Sequence, residues 1–76
     1  MKPVRDLLGR VRARLLRDRG FGFIREETGP GPELFFHRTA VAVPFAELRE
    51  GQRVTFEIEP DPRGRGDRAV RVGLAP

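Results

Sequence analysis

The stretch Phe21-Gly22-Phe23-Ile24-Arg25 decides the fold of this chain, because its side chains alternate as those of a β-strand do. Its two Phe side chains fall on one face of the strand, and its Gly and Ile fall on the other. A turn follows over residues 26–32, where two Gly and two Pro occupy positions 29–32. A second strand is then predicted at Leu34-Phe35-Phe36-His37, so the chain contains two adjacent strands joined by a turn.

Residues 4–15, upstream of this pair, fit two interpretations. The stretch Arg10-Val11-Arg12-Ala13-Arg14-Leu15 alternates strictly, which is typical of a half-buried strand with three Arg on its exposed side. The spacing of a helix face is also present, although Gly9 would weaken a helix that passed through it. The apolar residues with that spacing are Val4, Leu7, Leu8, Val11 and Leu15. We predict a lead-in over residues 1–8 that is prone to fraying, followed by a strand from about residue 9 to residue 16.

Two further strands are predicted downstream. Residues 53–59 alternate between apolar and polar side chains, and residues 69–72 form a short final strand. Between residues 40 and 50 lies a longer connection, in which Pro44 argues against a regular strand. Five short strands with tight turns predict an all-β fold, a small five-stranded antiparallel barrel whose closure removes unpaired edges. We expect residues 9–76 to form this barrel as a single domain, because the chain is too short for two.

The composition leaves few side chains for catalysis. The chain has no Cys, Ser, Asn, Trp or Tyr and a single His, so it lacks thiol and serine nucleophiles and any thiolate metal site. His37 has no second His or Cys with which to share a metal, and Gly20 and Gly22 lack the third Gly of a dinucleotide-binding fingerprint. We therefore expect no enzymatic activity, no metal and no cofactor.

Charge is unevenly spread along the chain. The formal net charge is +4, and 14 of the 15 basic residues are Arg, a side chain suited to bidentate phosphate contacts and to flat stacking. Residues 1–20 hold seven basic and two acidic side chains, whereas residues 21–60 hold four and seven. This pattern favours a polyanionic partner, and the alternative is a solvated, Arg-rich surface. No segment is apolar enough for a secretory signal or a membrane span, so we expect a cytoplasmic protein that does not bind membranes.

The predicted pleat places four rings outside the barrel. The positions predicted to fill its interior are Ile24, Leu34, Phe36, Val54, Phe56 and Ile58. The rings then left outside, here called the aromatic face, are those of Phe21, Phe23, Phe35 and His37. Exposing each Phe forgoes about 1.5–3 kcal/mol of burial, and such clusters normally mark interaction surfaces. The alternative is a reversed pleat, which would bury these Phe rings and expose the opposite face.

Exposed rings surrounded by Arg are typical of proteins that bind single-stranded nucleic acid. Nucleobases stack on such rings with little sequence preference, while basic side chains follow the backbone. The Arg residues near these rings in sequence are Arg10, Arg12, Arg14, Arg19, Arg25 and Arg38.

At these residues the sequence resembles the cold-shock domain family. Arg19-Gly20-Phe21-Gly22-Phe23-Ile24 is similar to the family motif K-G-F-G-F-I, and Leu34-Phe35-Phe36-His37, ten residues later, is similar to V-F-V-H. Thr39-Ala40-Val41 matches the S-A-I that follows, and residues 48–54 match L-x-E-G-Q-x-V. The resemblance runs from about Gly9 to Val72. It implies a five-stranded barrel of the OB type that binds single-stranded RNA or DNA across its first three strands.

The resemblance also implies which residues bind. The aromatic face is the stacking surface, Phe45 corresponds to a loop aromatic that stacks, and Arg19 corresponds to the motif Lys. Two departures concern the family's aromatic residues: residues 14–16 are Arg-Leu-Leu instead of W-F-N, and Arg38 stands where a further aromatic is common. We expect Arg14 and Arg38 to stack through their guanidinium planes. One extra residue in the alignment predicts a bulge near residues 13–16.

These observations predict binding of single-stranded RNA or DNA with low sequence specificity, as in an RNA chaperone-like cold-shock protein. The alternative is a protein-interaction module that docks its Phe patch on the transcription or translation machinery, such as RNA polymerase or the ribosome. We expect a monomer, and dimerisation through the first strand is the open alternative.

Overall fold

Five β-strands dominate the structure, a computed structural model that describes residues 4–12, 15–28, 31, 33–64 and 66–75, with side chains from residue 7 onward. The strands are β1 (Val4–Val11), β2 (Phe21–Glu26), β3 (Leu34–His37), β4 (Arg53–Pro60) and β5 (Asp67–Leu74). Two single-turn 3₁₀ helices, Arg38–Ala40 and Phe45–Glu47, lie in the connection between β3 and β4. In the part of the chain that is described, no helix is long and apolar enough to cross a membrane.

The strands close into a barrel in the order β1-β2-β3-β5-β4, which confirms the predicted all-β, five-stranded fold. Four of the neighbouring pairs are antiparallel, and β3 and β5 are parallel. The parallel seam arises because the connection after β3 carries the chain across the barrel to β1, where β4 pairs. β5 then reaches β3 from the other side and shares one register pair with it, Phe35 opposite Arg68.

β1 begins and ends about five residues earlier than predicted. The alternation of the sequence continues beyond Val11, but regular pairing does not: Val11 lies opposite Ile24, and Leu16 lies opposite Phe21. From Val11 to Leu16 the chain advances five residues, while β2 advances only three, from Ile24 to Phe21. The two additional residues lie between Val11 and Leu16, the region in which a bulge was predicted. Residues 13 and 14 themselves lie outside the described residues. The division of the chain into a lead-in and a domain at residue 9 stays a prediction.

The barrel interior is filled by the predicted inward positions. Ile24, Leu34, Phe36, Val54 and Phe56 are buried, and Ile58 is half-buried against this core. The reversed pleat is therefore excluded. β2, β3 and β4 match the predicted strands to within one residue, and β5 extends two residues further at each end.

Gly22 lets the core approach β2 closely beneath the aromatic face. A Cβ on Gly22 would lie 2.8 Å from Cδ1 of Leu15 and 3.0 Å from the ring of Phe36. Leu15 is buried in this space, four residues beyond the end of β1. The strand that carries Phe21 and Phe23 on its outer face thus packs directly on the core.

β5 carries one residue more than β4 along their shared edge. Thr55 lies opposite Gly73 and Glu57 opposite Val70, so two positions on β4 match three on β5. Arg71 takes up the difference with a φ of 48°. This left-handed conformation costs about 1–2 kcal/mol for a residue with a Cβ.

Candidate nucleic-acid interface

The aromatic face is a single cluster on the outer surface of β2 and β3. Phe21 lies opposite His37 and Phe23 opposite Phe35 across these antiparallel strands. The ring centroids of Phe21 and Phe35 are 5.3 Å apart, and Phe23 lies 6.0 Å from Phe21 and 6.2 Å from Phe35. The three Phe residues are half-buried and His37 is exposed. The pleat of two strands thus places all four predicted rings side by side.

The orientation of the rings limits how bases can stack on them. The plane of Phe23 makes angles of 81° with Phe21 and 75° with Phe35. Such edge-to-face pairs stabilise one another by about 0.5–1.5 kcal/mol each. One flat base cannot lie parallel to two rings that are nearly perpendicular. Bases on this surface must therefore occupy different rings in different planes, which requires that they be unstacked from one another.

His37 has a fixed tautomer. Its Nδ1 accepts a hydrogen bond from the backbone N–H of Thr39 at 3.2 Å and lies 2.9 Å from the Thr39 hydroxyl oxygen. The imidazole thereby caps the first 3₁₀ helix. Because a backbone N–H can only donate, the proton of the neutral ring is on Nε2. Nε2–H is then the donor that His37 can offer to a carbonyl or phosphate oxygen.

Arg19 and Arg38 lie together at the Phe21 end of the aromatic face. The backbone N–H of Arg38 donates to the carbonyl of Gly20 at 2.8 Å, and the Arg38 side chain lies over Gly20. Arg19 is exposed in the turn before Gly20. Within the described residues neither Arg forms an ion pair. These two guanidinium groups are therefore available to an anion next to Phe21.

At the other end of the face, two ion pairs compensate basic charge. Arg12 pairs with Glu33 at 2.9 Å, and Arg53 binds both carboxylate oxygens of Glu27 at 2.8 and 2.9 Å. The hydrogen bond from Arg53 is the main cause of a lowered pKa at Glu27, and the same bond raises the pKa of Arg53.

Arg10 and Arg25 form a like-charge pair beyond Phe23. They lie directly opposite each other on β1 and β2, and both are exposed. Like charges placed opposite one another destabilise a sheet, so an anion bound between them would relieve their repulsion. Arg10 also donates to the carbonyl of Gly51 at 3.1 Å.

Of the two remaining predicted site residues, Phe45 lies apart from the cluster. Phe45 belongs to the second 3₁₀ helix, and its ring lies 6.2 Å from that of the buried Phe36, packed against the core. Its half-buried side chain closes the barrel there, and no ring of the aromatic face contacts it within the described residues. Arg14 lies outside the described residues.

Two residues that the sequence analysis did not predict adjoin the face. Leu16 is 40% exposed and lies opposite Phe21, and Arg68 lies opposite Phe35 across the parallel seam. Leu16 lies beside Phe21 because the chain after β1 has two residues more than the matching part of β2. Arg68 lies beside Phe35 because β3 and β5 pair in parallel to close the barrel. Neither leaves a signal in local alternation. Among the described residues, no group of three acidic or His side chains could hold a metal ion.

The comparisons with known proteins agree with this architecture. The family model of the "Cold-shock" DNA-binding domain matches residues 9–75. The cold shock-like protein CspA of Shewanella violacea is 48% identical over 48 residues, which are 62% of this chain and 67% of that protein. The cold shock-like protein CspA of Stigmatella aurantiaca is 41% identical over 54 residues, or 70% of this chain and 78% of that protein.

A third relative, the cold shock protein CspC of Bacillus subtilis, is 42% identical over 48 residues, which are 62% of this chain and 70% of that protein. The family model extends from the last three residues of β1 through β5 and includes both 3₁₀ helices, well over half of the chain. The chain therefore belongs to the cold-shock domain family.

Proposed function

We propose that this protein binds single-stranded RNA or DNA on the aromatic face, with little sequence preference. The observation that carries the proposal is the cluster of Phe21, Phe23 and Phe35 with His37 on the outside of a closed barrel. Rings of this kind bind bases by stacking, at about 1–3 kcal/mol per base. Membership of a family described as a DNA-binding domain supports the same function.

The mechanism is stoichiometric. Each ring takes one base, and the near-perpendicular planes of neighbouring rings hold successive bases apart. A strand held in this way cannot pair with its complement, so the protein acts as an RNA chaperone that keeps local duplexes open. We propose that it does so in the cytoplasm, in translation, RNA remodelling or transcription antitermination, without catalysing a reaction.

Phosphate contacts come from guanidinium groups that form no ion pair within the described residues. Arg19 and Arg38 next to Phe21, and the opposed Arg10 and Arg25 beyond Phe23, flank the rings at both ends. Each phosphate contact to a single strand contributes about 0.7 to the slope of log K against log salt concentration. We expect affinity to fall steeply with salt, because two of the rings that the family carries in its first strand are replaced here.

Titration of labelled oligo(dT) and oligo(U) tests this function. The double variant Phe21→Ala/Phe35→Ala removes two stacking rings and should weaken binding by at least about tenfold. Leu74→Ala is the matched control, because Leu74 is also apolar and 44% exposed but lies at the end of β5, opposite Val54. Wild-type protein that fails to bind either oligonucleotide at low salt contradicts the proposal.

A second candidate function is docking on RNA polymerase or the ribosome through the same surface. The exposed Leu16 beside Phe21 favours it, because an aliphatic side chain enlarges the apolar surface without offering a stacking plane. If oligonucleotides do not bind, co-sedimentation with ribosomes and with RNA polymerase distinguishes the two partners. In either case we propose a monomer, since β1 is paired on both sides, with β2 and with β4.

A further inference from the structure

A groove opens along the parallel seam between β3 and β5. Phe35 pairs with Arg68, and the next pairing between these segments joins Val41 to Val72. Between these two points the chain leaves β3 as the first 3₁₀ helix, so the segments diverge. The resulting groove has a volume of about 390 Å³, and a second cavity of about 360 Å³ continues it past Phe35. Both cavities share the lining residues His37, Thr39 and Arg68.

Arg68 lies on the same side of the sheet as the aromatic face. Residues paired in a parallel ladder project to the same face, and Phe35 projects outward. Arg68 borders one cavity together with Phe35 and His37. Its side chain is 34% exposed, so it continues the row of rings on the far side of the seam.

The charge of Arg68 is compensated and its position is fixed. Its Nη2 donates to Oε1 of Glu59 at 2.9 Å, and Arg71 holds the other oxygen of Glu59 at 3.2 Å. Arg71 is itself bound to Glu57 at 2.6 Å. The Nε of Arg68 is buried without a hydrogen-bond partner among the described residues. Among the described residues its guanidinium binds one carboxylate, through Nη2, and its side chain lines both cavities.

We propose that Arg68 extends the aromatic face across the seam as a stacking surface for one further nucleobase, which lies in the groove beside Phe35 and His37. A guanidinium whose charge is compensated by a bound carboxylate, as that of Arg68 is by Glu59, has less net attraction for phosphate, but its planar face can still stack on aromatic rings. Arg19, which forms no ion pair within the described residues, keeps its full charge for a phosphate contact. This inference rests on the proposed single-strand binding and names an additional base subsite within it.

Binding of a length series of labelled oligo(dT), from about three to about eight nucleotides, tests the subsite. In wild-type protein the affinity rises when the strand is long enough to place a base on Arg68. Arg68→Ala should remove that gain, at about fivefold or more in Kd, and leave the shortest strands unaffected. Arg68→Phe should restore it and Arg68→Lys should not, because Lys keeps the charge but has no plane. The slope of log K against log salt should stay unchanged in Arg68→Ala.

Three outcomes would overturn the inference. Rescue by Lys, with a salt slope reduced by about 0.7 in Arg68→Ala, would identify a phosphate contact. Equal binding of every length by wild type and Arg68→Ala would show that no base uses Arg68. Arg71→Asn leaves the Arg68–Glu59 hydrogen bond in place. If it weakens oligonucleotide binding as much as Arg68→Ala does, the effect comes from the ion pairs of Arg71 with Glu57 and Glu59 and not from stacking on Arg68. If wild-type protein binds no oligonucleotide at all, the proposed function fails; far-UV circular dichroism checks that each variant is folded.

Discussion

The side chain of Arg38 lies across the α-carbon of Gly20, where its Cδ is 2.9 Å from the position that a Cβ would occupy. Gly20 has a φ of +75°, so the residue before Phe21 needs glycine for its backbone and leaves room for Arg38 at the same time. Gly20, in the turn between β1 and β2, thus accepts a hydrogen bond from the first residue of the first 3₁₀ helix and contacts the side chain of that residue, Arg38, beside the aromatic face.

Gly20→Ala is expected to lower the free energy of unfolding by about 1–2 kcal/mol, from the left-handed backbone, and to displace Arg38. Gly51→Ala is the matched control, because Gly51 has a φ of +82° but would meet no atom within 4 Å. Urea unfolding should show similar losses in both variants. Only Gly20→Ala should weaken oligonucleotide binding at low salt. Equal affinities of the two variants would show that Arg38 does not contribute to binding.

Arg71→Asn is expected to stabilise the protein. The φ of 48° at Arg71 costs an ordinary residue about 1–2 kcal/mol, and Asn adopts this region more readily. The exposed ion pairs that Arg71 would lose contribute at most about 1 kcal/mol. We expect a gain of about 0.5 kcal/mol in urea unfolding. Arg71→Ala, which loses the ion pairs but keeps the strained backbone, should be less stable than wild type, and an Asn variant no more stable than the Ala variant contradicts the argument.

His37 has two roles that two substitutions can separate. Asn at this position can still cap the 3₁₀ helix with its side-chain oxygen, whereas Ala cannot. We expect His37→Asn to retain wild-type stability and His37→Ala to lose about 0.5–1 kcal/mol in thermal unfolding. Both variants lack the ring, so both should lose the same increment of oligonucleotide affinity. A stronger effect on binding in His37→Ala alone would mean that the cap, not the ring, serves the ligand.

Stability should fall as the pH drops below about 4.5, the ordinary carboxyl pKa. Hydrogen bonds from Arg53 and Arg68, respectively, lower the pKa of Glu27 and that of Glu59 in the folded protein. A carboxylate with a lowered folded-state pKa adds stability that is complete above its unfolded-state pKa and is lost as pH falls through the folded-state value. The melting temperature between pH 7 and pH 3 measures this loss. Glu27→Gln/Glu59→Gln should have a flatter profile, and an unchanged profile would contradict these assignments.

Local alternation was sufficient to predict the barrel and the orientation of the aromatic face. In β2, β3 and β4 every buried position is apolar, so the pleat follows from burial, and Phe21, Phe23 and Phe35 lie outside. Because each of these strands is short, the alternation of apolar and polar side chains along it determines which side chains face the core.

Alternation was insufficient wherever register or topology decides the position of a residue. The Arg-rich stretch 10–15 alternates as a strand does, yet β1 ends at Val11, because five positions there match three on β2. Leu16 beside Phe21 and Arg68 beside Phe35 are consequences of such long-range pairing. Phe45, placed with the binding residues by resemblance, packs against Phe36 because the second 3₁₀ helix covers one end of the core.

The parallel seam also has a consequence for the order of folding. Phe35 and Arg68 are far apart in sequence, so pairing them directly closes a long loop, at an entropic cost that prior formation of the β4–β5 hairpin lowers. We expect this closure to form last and to open first, and amide hydrogen exchange near the seam to be the fastest within the sheet. A strand of nucleic acid that contacts both sides of the seam would stabilise this closure, for which the described residues supply two parallel pairs, Phe35 with Arg68 and Val41 with Val72.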